Sequence, residues 1–225
     1  MKKLFAIILL PLLLLAGSQA LTVNAQGTNL LKNPGFEQPY NGDGAASDWV
    51  RWHRESSADK FDDCTKGYRK QPRWGNATDT VHSGSTSQFI GNNWDTWGAG
   101  VWQTVDVTPG ARYRFTFYGR GFGSMESDGA SDRFLDINMR AGIDPNGSGL
   151  WSDADVVWSA AASPHDTWQQ FAVEVTATGD KVTVFTTADY AVEGKNQCFK
   201  FLNAFFDSAE LIELGPPPTN TPPPP

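Results

Sequence analysis

The chain has 225 residues, 40% of them hydrophobic and 19% charged, with a formal net charge of −7. That supply of apolar and aromatic side chains is enough for one packed domain and excludes a disordered or fibrous chain. The acidic balance repels phosphate backbones, which argues against a nucleic-acid partner.

Lys2 and Lys3 open the sequence, residues 4–16 form an apolar run interrupted by Pro11, and Val23-Asn24-Ala25 is a small-residue cleavage site. The pattern predicts a secretory signal peptide over 1–25 and a secreted or cell-surface protein. The run falls short of the ~20 apolar residues that a bilayer span needs, and no second one follows, so no membrane insertion is expected. Ser18 stands where a lipoprotein signal would need cysteine, which disfavours a lipid anchor. Loss of Lys2 and Lys3 takes the 18 basic residues to 16 against 25 acidic ones, a net charge of −9.

Residues 51–73 hold seven of those basic residues, interleaved with Trp52, His53 and Tyr68 and followed by Trp74. Such a cluster suits an anionic glycan. Glu55, Asp59, Asp62 and Asp63 neutralise much of it, however, and a solvated insertion is the favoured reading. The chain has two cysteines, Cys64 and Cys198, and in an exported protein they are expected to form one disulfide. Closing a loop of that length adds ~5 kcal/mol in the chain-entropy account.

From residue 87 onward, short runs alternate apolar and polar positions between clusters of Gly, Pro, Asn and Asp. Strands are predicted over 87–91, 101–107, 113–118, 134–143, 156–159, 168–176 and 181–187, which makes an all-β antiparallel sandwich or barrel. Residues 205–214 are a further strand candidate, although the apolar positions of 203–214 also fit a helical period and the strand assignment rests partly on the resemblance given below. Thr108-Pro109-Gly110 is a turn between the second and third of these, and Gly119-Arg120-Gly121-Phe122-Gly123 is read as a strand exit. Alternation puts Val105, Val107, Tyr113, Phe115, Phe117, Leu135, Ile137, Met139, Phe171, Val173, Val175, Val182 and Val184 in the core. A second face then carries Trp102, Thr104, Arg114, Tyr118, Arg120, Asp136, Asn138 and Arg140, a set rich in planar and hydrogen-bonding groups. Trp94 and Trp97, in the loop Gly91-Asn92-Asn93-Trp94-Asp95-Thr96-Trp97-Gly98, have few apolar neighbours to bury them. Sugar rings stack their C–H faces on such aromatics, so Trp94 and Trp97 with Trp102, Tyr118, Arg120, Asp136, Asn138 and Arg140 are the candidate carbohydrate contacts. Trp49, Trp52, Trp74, Trp151, Trp158 and Trp168 are assigned to core or loop-anchoring positions.

Asn33-Pro34-Gly35-Phe36-Glu37 reads as a first strand entering a turn, and His82-Ser83-Gly84-Ser85, the Gln103 strand with Pro109-Gly110-Ala111-Arg112-Tyr113, and Phe205-Phe206-Asp207-Ser208-Ala209-Glu210-Leu211 follow it. In that order these motifs resemble the jelly-roll carbohydrate-binding modules of the galactose-binding-domain-like superfamily, the kind appended to cellulases and xylanases. The likeness spans most of residues 28–214 and implies a jelly roll over 26–214. It also implies a structural calcium tying the first strand to the last, with Glu37 and Asp207 at the ligand positions. Many relatives carry two consecutive acids in the last strand, and here the second is Ser208.

Residues 215–225 hold half of all the prolines and read as an extended spacer, which either belonged to a longer modular protein with a neighbour domain or holds this domain off a surface. The functional expectation is a secreted, non-catalytic module that binds polysaccharide or a cell-surface glycan. The alternatives are an adhesion or matrix domain with no sugar site and, less favoured, a jelly-roll glycosidase. No nucleophile elbow, metalloprotease motif or compact pair of acids supports catalysis.

Overall fold

The computed structural model describes residues 27–55, 71–93, 97–124, 137–190 and 201–215. Ten strands run in chain order: β1 (Val50–His53), β2 (Arg73–Ala77), β3 (Ser87–Asn92), β4 (Gly98–Asp106), β5 (Arg112–Ser124), β6 (Asn138–Asp144), β7 (Val157–Trp158), β8 (Gln169–Thr176), β9 (Lys181–Asp189) and β10 (Phe201–Gly215). They form two five-stranded sheets, ordered β1-β4-β9-β6-β7 and β2-β3-β10-β5-β8, and every pairing is antiparallel. No helix occurs among the described residues. The segment 1–25 read as a signal peptide, the proline-rich residues 216–225, Cys64 and Cys198 all lie outside them.

The core lies between the sheets, and strand alternation builds it. Tyr113, Phe115, Phe117, Ile137, Met139, Phe171, Val173, Val175, Val182 and Val184 are buried as their parity requires, while Val105 and Val107 pack at the margin. Leu135 is outside the described residues. The turn at Pro109-Gly110 does not close a hairpin. β4 pairs with β1 and β9 and β5 with β10 and β8, so the turn carries the chain from one sheet to the other. Gly110 takes a φ of +79°, which suits glycine.

Three expectations are corrected here. The segment 119–123 is strand, not exit: β5 continues to Ser124. Its glycines face inward where the sheets approach closely, since a Cβ on Gly121 would lie 2.4 Å from Ile137 Cδ1 and one on Gly119 would lie 3.0 Å from Met139 Sδ. Second, residues 33–37 form bends and turns instead of a strand. Amide side chains take over the pairing: buried Gln103 accepts the Lys32 N–H at 2.8 Å and donates to its carbonyl at 2.9 Å, and partly buried Asn29 bonds the backbone of Ala209 and Leu211 on β10. Third, the sequence reading omitted β1 and β2, which are short edge strands without clear alternation.

Candidate functional site

The outer face of the first sheet is built row by row from its register. Val50 on β1 lies opposite Trp102 on β4, Trp102 opposite Phe185 on β9, Phe185 opposite Gly142 on β6, and Gly142 opposite Trp158 on β7. In the neighbouring rows Trp52 lies opposite Gly100, and Thr187 opposite Arg140. Glycines thus lie opposite Trp52, Phe185 and Trp158, while Trp102 meets Phe185 directly. A Cβ on Gly142 would lie 2.5 Å from Trp158 Cζ3, and one on Gly100 would lie 2.6 Å from Trp52 Nε1, so both indoles lie across positions that only glycine leaves open.

The ladder between β4 and β9 is irregular at Gly100 and Val101, where the Thr186 hydroxyl bonds the Val101 N–H (3.0 Å) and carbonyl (3.3 Å). The Thr186 carbonyl accepts the Trp52 indole N–H at 3.1 Å, which anchors the ring over the sheet. Phe185, Trp52 and Val156 form a second buried cluster, against which Trp102, Trp151 and Trp158 pack.

One wall rises from the loop between β6 and β7, and a buried carboxylate shapes it. Asp144 is fully buried and accepts the N–H groups of Asn146 (3.0 Å) and Ser148 (2.6 Å) and the Ser148 hydroxyl (2.7 Å). Gly147 and Gly149 take positive φ in the same turn. The loop brings Trp151 onto Trp52, with centroids 5.0 Å apart and planes 20° from parallel.

Together these elements enclose an open cleft of about 290 Å³, lined by Trp52, Arg54, Gly98, Arg140, Trp151, Ser152, Asp153, Trp158, Thr187 and Asp189. Arg54 pairs with Asp189 at 3.2 Å and lies over the Trp151 ring at 5.1 Å, while Arg140 lies over Trp158 at 4.9 Å. Aromatic surface ringed by hydrogen-bonding and charged groups can hold a sugar chain by stacking and directed polar contacts.

Of the candidate contacts among the described residues, the structure puts only Arg140 on this lining. Trp102 and Asn138 share its sheet face but stand beside the cleft, Trp102 in the aromatic cluster and Asn138 opposite Asp189. Tyr118 and Arg120 project from β5, in the other sheet, so the single face proposed for them and Trp102, Asn138 and Arg140 is corrected to two faces on opposite sides of the sandwich. Trp97 is corrected too. It is fully buried in the main core, 4.6 Å from the Tyr190 ring, because the inward parity of Val101 and Ala99 extends back to it. Trp94 and Asp136 lie outside the described residues. Trp52, Trp151 and Trp158, assigned to core or loop anchoring from the sequence, supply the aromatic lining instead. The sequence did carry a signal for two of them, since Gly100 and Gly142 fall at outward positions of strands otherwise filled by larger residues.

Glu37 and Asp207 clasp one loop from two sides. Glu37 accepts the Ser85 N–H at 2.8 Å, and Asp207, fully buried, accepts the N–H groups of His82 (2.8 Å), Ser83 (3.0 Å) and Ser208 (2.6 Å). The donors meeting Asp207 are amides, whose hydrogens repel a cation, so a calcium ion there would have to displace them. Burial holds the Asp207 carboxyl above the usual carboxylate value, against the lowering effect of those amides and of His82.

No protein-family model matches the chain, and no curated protein does. Solved structures do. The CBM22-1 xylan-binding domain from Paenibacillus barcinonensis Xyn10C superposes with a TM-score of 0.50 at 12% identity, covering 85% of this chain and 97% of that one. TmCBM61, solved with β-1,4-galactotriose, gives 0.49 at 14% identity over 82% of this chain and 98% of its own, and the enzymatically active domain of bacteriophage CBA120 tailspike protein 4 gives 0.49 at 14% over 83% and 21%. The chain therefore has the β-sandwich fold of jelly-roll carbohydrate-binding modules.

Proposed function

We propose that this protein is a secreted, non-catalytic module that binds polysaccharide in the cleft on the outer face of β1-β4-β9-β6-β7. The observation that carries the reading is the lining itself: Trp52, Trp151 and Trp158 set over a glycine-cleared sheet beside Arg54, Arg140, Asp153 and Asp189. Neighbours of the same fold are described as binding xylan and β-1,4-galactotriose, and that supports a glycan as the ligand class here. The leader and the proline-rich tail suit work outside the cell. A calcium ion at Glu37 and Asp207 and a Cys64–Cys198 bridge belong to the same proposal, on the resemblance and on the cysteine count.

Affinity electrophoresis of the full chain through gels containing xylan, galactan or cellulose derivatives tests it. Retardation by at least one polymer is expected, with dissociation constants on the order of micromolar to millimolar for an open cleft. Trp158→Ala or Trp151→Ala should weaken binding by about tenfold or more. Incubation with the bound polymer should release no reducing ends; their release would turn the reading to a glycosidase. Absence of retention by every polymer would leave the matrix or adhesion domain as the better reading.

A further inference from the structure

The two arginines of the cleft are not paired alike. Arg54 is held by Asp189 at 3.2 Å. Arg140, partly buried against Trp158, has neither an ion pair nor a hydrogen-bond acceptor among the described residues. Asp144, on the same strand, spends its carboxylate on Asn146 and Ser148. Asp153 is the remaining acid on the lining, in the β6-β7 loop beside Trp151. A guanidinium drawn partly out of water without a counter-ion keeps some of its desolvation cost unopposed, and a ligand anion that meets it removes that cost. Packing on the indole also limits its rotamers, so less order is lost when its planar fork receives a carboxylate by two parallel hydrogen bonds.

Resting on the glycan-binding reading above, we infer that the cleft selects polysaccharides that carry carboxylates, that is uronic-acid polymers, and that Arg140 is the group that receives the acid. The acid seats on Arg140 beside Trp158. Neighbouring sugar rings of the same polymer lie with their C–H faces against Trp52 and Trp151.

Titration calorimetry on the full chain tests this with polygalacturonate, with the same polymer after reduction of its carboxyl groups, and with neutral xylan. Polygalacturonate should bind about tenfold more tightly than its reduced form, and the advantage should shrink as sodium chloride is raised. Arg140→Gln should bring the two affinities together, and Asp153→Asn should widen the gap; melting curves establish that both variants fold, and the salt dependence of the unaltered protein stands if one does not. Equal affinity for the two forms would overturn acid selection and leave glycan binding in place. Binding of none of the three polymers would overturn the reading beneath it as well. Dextran sulfate distinguishes the anions: if it binds as tightly as polygalacturonate and loses as much in Arg140→Gln, the site reads charge alone and carboxylate selection is overturned.

Discussion

Trp97 and Trp158 are the same residue type set to different tasks by strand position. Trp97 ends an inward row with Ala99 and Val101 and is sealed in the core against Tyr190, so truncation removes a large buried volume. Trp97→Ala should cost ~3 to 5 kcal/mol in chemical denaturation, and any loss of glycan binding should follow the fraction unfolded. Asp207 makes a prediction about pH. Its native carboxyl titrates above its ordinary 3.8, chiefly through burial, so between those two values the folded protein binds more protons than the unfolded chain. Stability from this group is therefore greater on the acid side and falls as pH rises through the window that opens near 3.8. Against an Asp207→Asn variant, which cannot titrate there, the stability of the unaltered protein should decline across that window and then level off; a difference that grows with pH would contradict the assignment.

At the scale of elements, the site depends on glycine rows as much as on aromatics. β6 passes Trp158 at Gly142, where an added Cβ would lie 2.5 Å from the indole. Gly142→Ala should push Trp158 off the sheet, displace the Arg140 guanidinium stacked on it and weaken polysaccharide binding by about tenfold, with a smaller effect on melting temperature. Affinity electrophoresis beside a thermal melt separates the two effects. Trp151 depends on its own support: the β6-β7 loop folds around the Asp144 carboxylate, and the indole then meets Trp52 across the cleft. No periodicity in residues 145–156 announces that contact, because it is made by a turn and not by a strand.

For the whole molecule, the clasp of Glu37 and Asp207 ties the N-terminal segment and β10 to the loop at 82–86. If calcium supplements it, a chelator should lower the melting temperature and Asp207→Ala should abolish that response; equal curves with and without chelator would assign the clasp to amide hydrogen bonds alone. Thiol titration of the unfolded, unreduced chain should find no free sulfhydryl if Cys64 and Cys198 are bridged. Period-two alternation let the sequence by itself determine the all-β class, most strands from β3 to β9 and nearly the whole inward face, because burial on one side of a strand writes itself into every second residue. Alternation reports a side of a strand but not which sheet the strand joins. The sequence could thus group Tyr118 and Arg120 with Trp102 and Arg140, whereas only the tertiary structure, by sending β4 and β5 to different sheets, decided that they face opposite ways. The cleft was decided at that level too: Trp52 comes from an edge strand about 100 residues before the loop of Trp151 and the two-residue strand of Trp158, and pairing over Gly100 and Gly142 is what brings them together.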